Sequence, residues 1–216
     1  MFELSENTVQ VLVLSACVGV ALYRSIRFGD KASVLLLFFN GSYLMGDLYW
    51  QVCLYYFGES PELPIISDLS WYGSFVFLLL LLRTELAASG IQKRTPKSTV
   101  RTVLPFLAFV FTGGMAVFFM QYGQIVANIL YAFFLGHILY TIYNIYWNYE
   151  KPTTRLKYVC ILAFIFCFGE YGAAVSSCFW DSPSINNPYY WFNMLMTTSF
   201  PFYIVIPELS RKEVAA

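Results

Sequence analysis

A chain of 216 residues that is 58% hydrophobic, 20% aromatic and only 12% charged is not an ordinary soluble domain, because such domains carry roughly a quarter charged residues. The length suits one compact bundle: seven spans of ~20 residues take about 140 positions, and the rest supplies only short loops and termini. The formal net charge is zero, but that figure hides an asymmetry in where the charges sit along the chain.

Met1 to Asn7 holds Glu3 and Glu6 and no basic residue, so it lacks the positive start of a cleaved secretory signal. The first apolar run is followed by Arg24, Arg27 and Lys31. That order predicts a retained span with its N-terminus outside. Apolar runs separated by polar or Pro/Gly-containing breaks then predict seven spans, near 8–23, 33–57, 67–87, 102–121, 124–148, 158–179 and 189–207. Residues 1–216 are expected to form a single transmembrane domain.

The connections fall into two sets. Gly58–Ile66 and Trp180–Pro188 are rich in turn formers and acidic or neutral, and Gln121–Gly123 predicts a tight hairpin. The other set is basic: Arg24 to Lys31, Lys93 to Arg101, Lys151 to Lys157, then Arg211 and Lys212. The sets alternate, and all 13 Lys and Arg fall in or near the basic set, with Arg83 the most deeply placed. Basic loops are cytoplasmic. The expected fold is therefore an all-α seven-transmembrane-helix bundle, N-terminus outside and C-terminus cytoplasmic.

Seven spans give spans one to three the same orientation as spans five to seven, with span four as linker. Gly46-Asp47-Leu48-Tyr49 followed by Gly58-Glu59-Ser60-Pro61 has an echo in Gly169-Glu170-Tyr171 followed by Asp181-Ser182-Pro183. A 3+1+3 parallel repeat, of a kind known in transporters, is the corresponding hypothesis.

Three acids face the hydrocarbon: Asp47 in span two, Asp68 at the outer start of span three and Glu170 in span six. A carboxylate at a span centre costs about 2.5–3.5 kcal/mol on insertion scales. All three lie in the outer half, where no Lys or Arg is placed to pair with them. Protonation, hydrogen bonding or a bound cation remain as ways to neutralise them. In span two Asn40, Tyr43, Asp47, Trp50 and Gln51 share one helical stripe, and Trp71 and Tyr72 follow Asp68 by one turn. Cys167, Glu170, Ala174 and Ser177 form a narrow stripe in span six, and Asn193, Thr197 and Pro201 share a face of span seven. Carboxylates beside aromatic rings suit an organic cation; the same groups also serve to tie helices together by hydrogen bonds. Asp47, Trp50, Asp68, Trp71, Tyr72 and Glu170 are the candidate ligand-binding residues.

His137, the single histidine, forms a polar stripe in span five with Tyr140, Thr141 and Asn144. One His, no HExxH and no Cys cluster predict no metal site and no cofactor. Span seven has no lysine, which excludes a retinal Schiff base. The five cysteines read as buried small hydrophobes, with a Cys53–Cys178 disulfide the one pairing their positions near outer helix ends allow. No nucleic-acid partner is expected.

Gly46-Asp47-Leu48-Tyr49-Trp50, then Gly58, Pro61 and Pro64, then Ser67-Asp68-Leu69-Ser70-Trp71-Tyr72 resembles a pattern of multi-pass bacterial membrane input domains. Those domains precede GGDEF, EAL or histidine kinase modules. The resemblance covers some 30 residues and implies a sensory function in the bacterial cytoplasmic membrane. No output module follows within these residues, so it implies a free-standing version with a separate cytoplasmic signalling partner. A second set, Gly46-Asp47 with Gly136-His137-Ile138-Leu139-Tyr140, is similar to lysoplasmalogenase-type membrane hydrolases. That similarity implies His137 and Asp47 as acid and base, although about 90 residues separate them here. The expected function is thus a membrane sensor or binding protein with an outward acidic, aromatic pocket for a small polar or cationic ligand. A small proton- or cation-coupled transporter and an intramembrane hydrolase are the alternatives.

Overall fold

The computed structural model describes residues 2–94, 98–122, 125–180 and 184–208. Among them the chain forms seven helices: α1 (Phe2–Phe28), α2 (Lys31–Phe57), α3 (Ile65–Ala88), α4 (Ser98–Phe119), α5 (Ile125–Asn148), α6 (Thr154–Ser177) and α7 (Pro188–Tyr203). Lys97, Gly123, Arg211, Lys212 and the Asp181-Ser182-Pro183 part of the echo lie outside the described residues.

Four stretches, Glu3–Phe28, Ile65–Ala88, Ile125–Asn148 and Thr154–Ser177, are long and apolar enough to cross a membrane. The bundle's exterior agrees, with Ile26, Phe109, Val126 and Phe164 among many exposed large hydrophobic side chains. In water such an exterior drives association; in lipid it is ordinary, because helices satisfy their own backbone groups there. The described residues form an all-helical bundle compatible with a helical membrane protein.

Local chemistry sets the helix ends. Gly29 takes φ +63 after α1, and Asp30 then caps α2, accepting from the Ser33 amide at 2.8 Å. Gly58 ends α2 in the left-handed region at φ 73, a conformation that costs a Cβ-bearing residue. Thr153 caps α6, and Asn187 caps α7 ahead of Pro188.

Several boundaries differ from the sequence reading: α1 runs on to Phe28 rather than 23, α4 begins at Ser98 rather than 102 and α6 at Thr154 rather than 158, and two further ends bear on the packing. Helix α1 begins at Phe2, so Phe2 to Asn7 is not an outer tail but the first turns of the helix. The polar side chains of Asn7 and Gln10 are buried there, at 7% and 2% exposure, which gives the turns an interior to pack into. Helix α7 stops at Tyr203, not near 207. Pro201 has no amide to offer Thr197, and the next turn closes with short-range bonds from the Ile204 amide to Pro201 O and from the Val205 amide to Phe202 O.

Helix α2 packs on α1 and α3, α6 on α5 and α7, and the two sets meet where α1 touches α7 and α3 touches α5 and α6. Helix α4 rests chiefly on α5, where Gly136 leaves room for the Thr112 side chain. Side-chain bonds show which helix ends gather together. At one end Trp50 donates to Glu3 at 3.3 Å, Gln51 to Thr8 at 2.7 Å and the Tyr72 hydroxyl to Ala127 O at 2.7 Å. At the other, Arg24 meets Ile204 O and Glu208, Arg155 meets Glu85 and the Tyr158 hydroxyl donates to Phe202 O.

Between the two ends lies an aromatic core. Phe39 of α2 contacts Phe166 of α6 and Phe200 and Tyr203 of α7, with ring centroids 5.0–5.8 Å apart. Phe75 of α3 meets Phe166 at 5.6 Å. Such edge and tilted pairs add about 0.5–1.5 kcal/mol each beyond area burial.

A polar contact joins α1 to α7. Asn193 donates to Glu6 at 2.5 Å and to Gln10 at 2.9 Å, and Gln10 donates back to Asn193 Oδ1 at 3.2 Å. Asn193→Ala is expected to destabilise the fold by about 1–3 kcal/mol, because it strips partners from two side chains. Gln10→Ala should cost less, since Glu6 still accepts from Asn193. Thermal unfolding of both variants checks the order, and the reverse order would refute it.

Candidate functional site

At the acid-rich end the helices surround a cavity of about 760 Å³. Asp47, Trp50, Asp68, Trp71, Tyr72 and Glu170, the six residues singled out from sequence, all line it. Glu3 and Glu6 line it too, so five carboxylates face one space, and among the described residues the lining contains no Lys or Arg.

Asp47 is the most enclosed, at 3% exposure. Trp71 Nε1 donates to its Oδ1 at 3.0 Å. Its Oδ2 is buried and has no hydrogen-bond partner among the described residues. A buried polar atom left so costs about 1–3 kcal/mol, more when charged. Glu170 accepts from the Tyr43 hydroxyl at 2.8 Å, and Tyr43 seats its ring on Phe166 and Phe200 of the aromatic core. Tyr43 therefore forms the base of the cavity, one helical turn above Phe39. Tyr189, near the start of α7, lines the same cavity.

The glycine beside each deep acid has a steric function. A Cβ on Gly46 would lie 2.6 Å from Trp71 Nε1, so only glycine lets the indole close onto α2 and reach Asp47. Gly169, beside Glu170, lies equally tight against Met196, and Gly172 against the Phe192 ring. The Gly-acid pairs of α2 and α6 thus mark matching crossings, α2 with α3 and α6 with α7. Ser67 donates to Gly46 O at 3.3 Å, closing the first crossing further.

Other sequence candidates are placed elsewhere. His137 does not line the cavity. Its Nε2 meets Arg83 Nη2 at 2.8 Å, linking α5 to α3. Thr141 bonds back to His137 O, and Asn144 accepts from Asn148, so these bonds stay within α5; Tyr140 stacks loosely beside His137 at 6.4 Å. The stripe His137, Tyr140 and Asn144 is therefore a helix-packing feature apart from the acids. Cys53 and Cys178 are both free thiols, as are the other three cysteines, so the disulfide allowed from sequence is not formed. Among the described residues no group of three His, Cys, Asp or Glu is arranged to hold a metal ion.

Sequence reasoning missed Glu3, Glu6, Gln10 and Tyr189. The available signal was periodicity: Glu3, Glu6 and Gln10 recur at helical spacing, continuous with the first apolar run. Compared with protein-family models, with curated proteins and with solved structures, the chain matches none.

Proposed function

We propose that the protein is a seven-span binding or sensory protein of the bacterial cytoplasmic membrane, with its N-terminus and the acidic cavity facing outward and a small organic cation as ligand. One observation carries the reading: five carboxylates line a cavity without Lys or Arg, and the most buried of them keeps an oxygen unpartnered. An alkylammonium or quaternary ammonium group supplies the missing charge, and Trp50, Trp71, Tyr43 and Tyr72 offer ring faces to it. The orientation rests on the basic residues, which sit at the opposite end of the bundle. The motif resemblance to bacterial input domains adds a cytoplasmic signalling partner on that basic side.

The experiment is thermal unfolding of the purified protein in neutral-lipid nanodiscs with butylamine, choline or tetramethylammonium. Stabilisation by at least one of them, lost in Asp47→Asn and in Glu170→Gln, is the expected result. Indifference of the wild type to every amine tested would sink the proposal.

A transporter is the second reading, favoured by the matched crossings at Gly46 and Gly169 and by the pairing of α1 with α7 and α3 with α5. These fit two three-helix halves related by a parallel repeat, with the aromatic core closing the inner side. Gradient-dependent amine uptake into proteoliposomes separates transport from binding alone. The hydrolase reading draws no support, because His137 is engaged with Arg83 away from the cavity.

A further inference from the structure

The carboxylates share one cavity but not one point. Along α2, Tyr43 marks the level of Glu170, Asp47 lies one turn beyond, and Trp50 marks the level of Glu3 a further turn on. Seven residues separate Tyr43 from Trp50, which at 1.5 Å rise is roughly 10 Å along the helix. The inner station is Asp47 and Glu170, and the outer station is Glu3, held by Trp50, and Glu6, held by Asn193. No three of these acids are arranged to chelate a metal ion among the described residues, so separated positive groups answer them better than one compact ion. Between the stations the wall is aromatic: Trp50 and Trp71 lie 5.8 Å apart, and Trp71 and Tyr43 6.3 Å. Aromatic walls suit methylene groups.

From this we infer that the ligand is a linear aliphatic diamine or polyamine, with one ammonium group on Asp47 and Glu170 and another on Glu3 and Glu6. The inference rests on the reading of the cavity as a cation site and narrows it to a two-headed ligand. The unpartnered Asp47 Oδ2, 97% of whose residue is enclosed, is the acceptor for the inner ammonium.

The test is isothermal titration of the full chain in neutral-lipid nanodiscs with butylamine, trimethylenediamine, cadaverine and calcium chloride. Cadaverine is expected to bind on the order of ten- to a hundred-fold more tightly than butylamine, the worth of one added charge-assisted hydrogen bond, with trimethylenediamine between them. Glu3→Gln and Glu6→Gln, which keep an acceptor oxygen for Trp50 and Asn193, should remove that advantage, weakening cadaverine far more than butylamine. Asp47→Asn should weaken every amine.

Equal affinity for butylamine and cadaverine overturns the two-station inference and leaves the cation site standing. A diamine advantage independent of spacer length, or one that survives both glutamine substitutions, overturns it as well. Calcium binding as tight as cadaverine replaces it with an inorganic site. No binding by any amine removes the cation site itself.

Discussion

Replacing Arg155 with alanine is expected to destabilise the protein by about 3–5 kcal/mol, the cost of leaving a buried charge without its ion-pair partner. Arg155, in the first turn of α6, pairs with Glu85 of α3 at 2.5 Å, and the two side chains are 14% and 2% exposed. Glu85 sits near the last turn of α3 and is buried. The contact is one of the few polar ties between α3 and α6, so its loss also loosens the junction between the first three helices and the last three.

Glu85→Gln combined with Arg155→Met should recover most of the loss, because a neutral pair removes the buried charge along with its partner. Chemical unfolding in mixed micelles measures all three proteins. An Arg155→Ala variant within about 1 kcal/mol of wild type would mean that water reaches Glu85 and the pair is effectively exposed.

Gly46→Ala carries the second large effect, and it couples stability to the site. The added methyl group meets Trp71 Nε1 at 2.6 Å and Cδ1 at 2.8 Å. The indole is rigid and confined by Trp50 and Tyr43, so it yields only by leaving its place. Overpacking of this kind costs about 1–3 kcal/mol, and the displaced indole releases its bond to Asp47. The variant should therefore lose amine stabilisation together with stability.

Gly41 of the same helix is the control, since nothing lies within 4 Å of a Cβ there. Gly41→Ala should leave stability unchanged or raise it by up to ~1 kcal/mol through helix propensity. Equal behaviour of the two variants would show that the α2–α3 crossing is looser than its geometry requires.

Much of the molecule is legible in one dimension. Apolar runs and turn formers mark helices within a few residues of α2, α3, α5 and α6, because those signals are local. Asp47, Asp68 and Glu170 stand out by being acids inside or at the start of apolar runs, and all three line the same cavity. The N-terminal turns were harder. Glu3 and Glu6 look like a solvated tail until Asn193 and Trp50, far along the chain, supply partners that make the helix worth extending. His137 shows the converse: its stripe is visible in the sequence, but Arg83 takes its Nε2.

By itself, the sequence determined that this is an apolar helical protein whose basic residues gather on alternate loops while several acids lie within its apolar runs, since composition and order along the chain suffice for that. Only the tertiary structure decided which acids share a cavity, that Trp71 serves Asp47 and Tyr43 serves Glu170, and that Glu85 is paired with Arg155. Those outcomes depend on the rotation of each helix about its axis and on its choice of neighbour. Both are set by contacts such as Gly46 with Trp71, between residues 25 positions apart in the chain, which no local periodicity records.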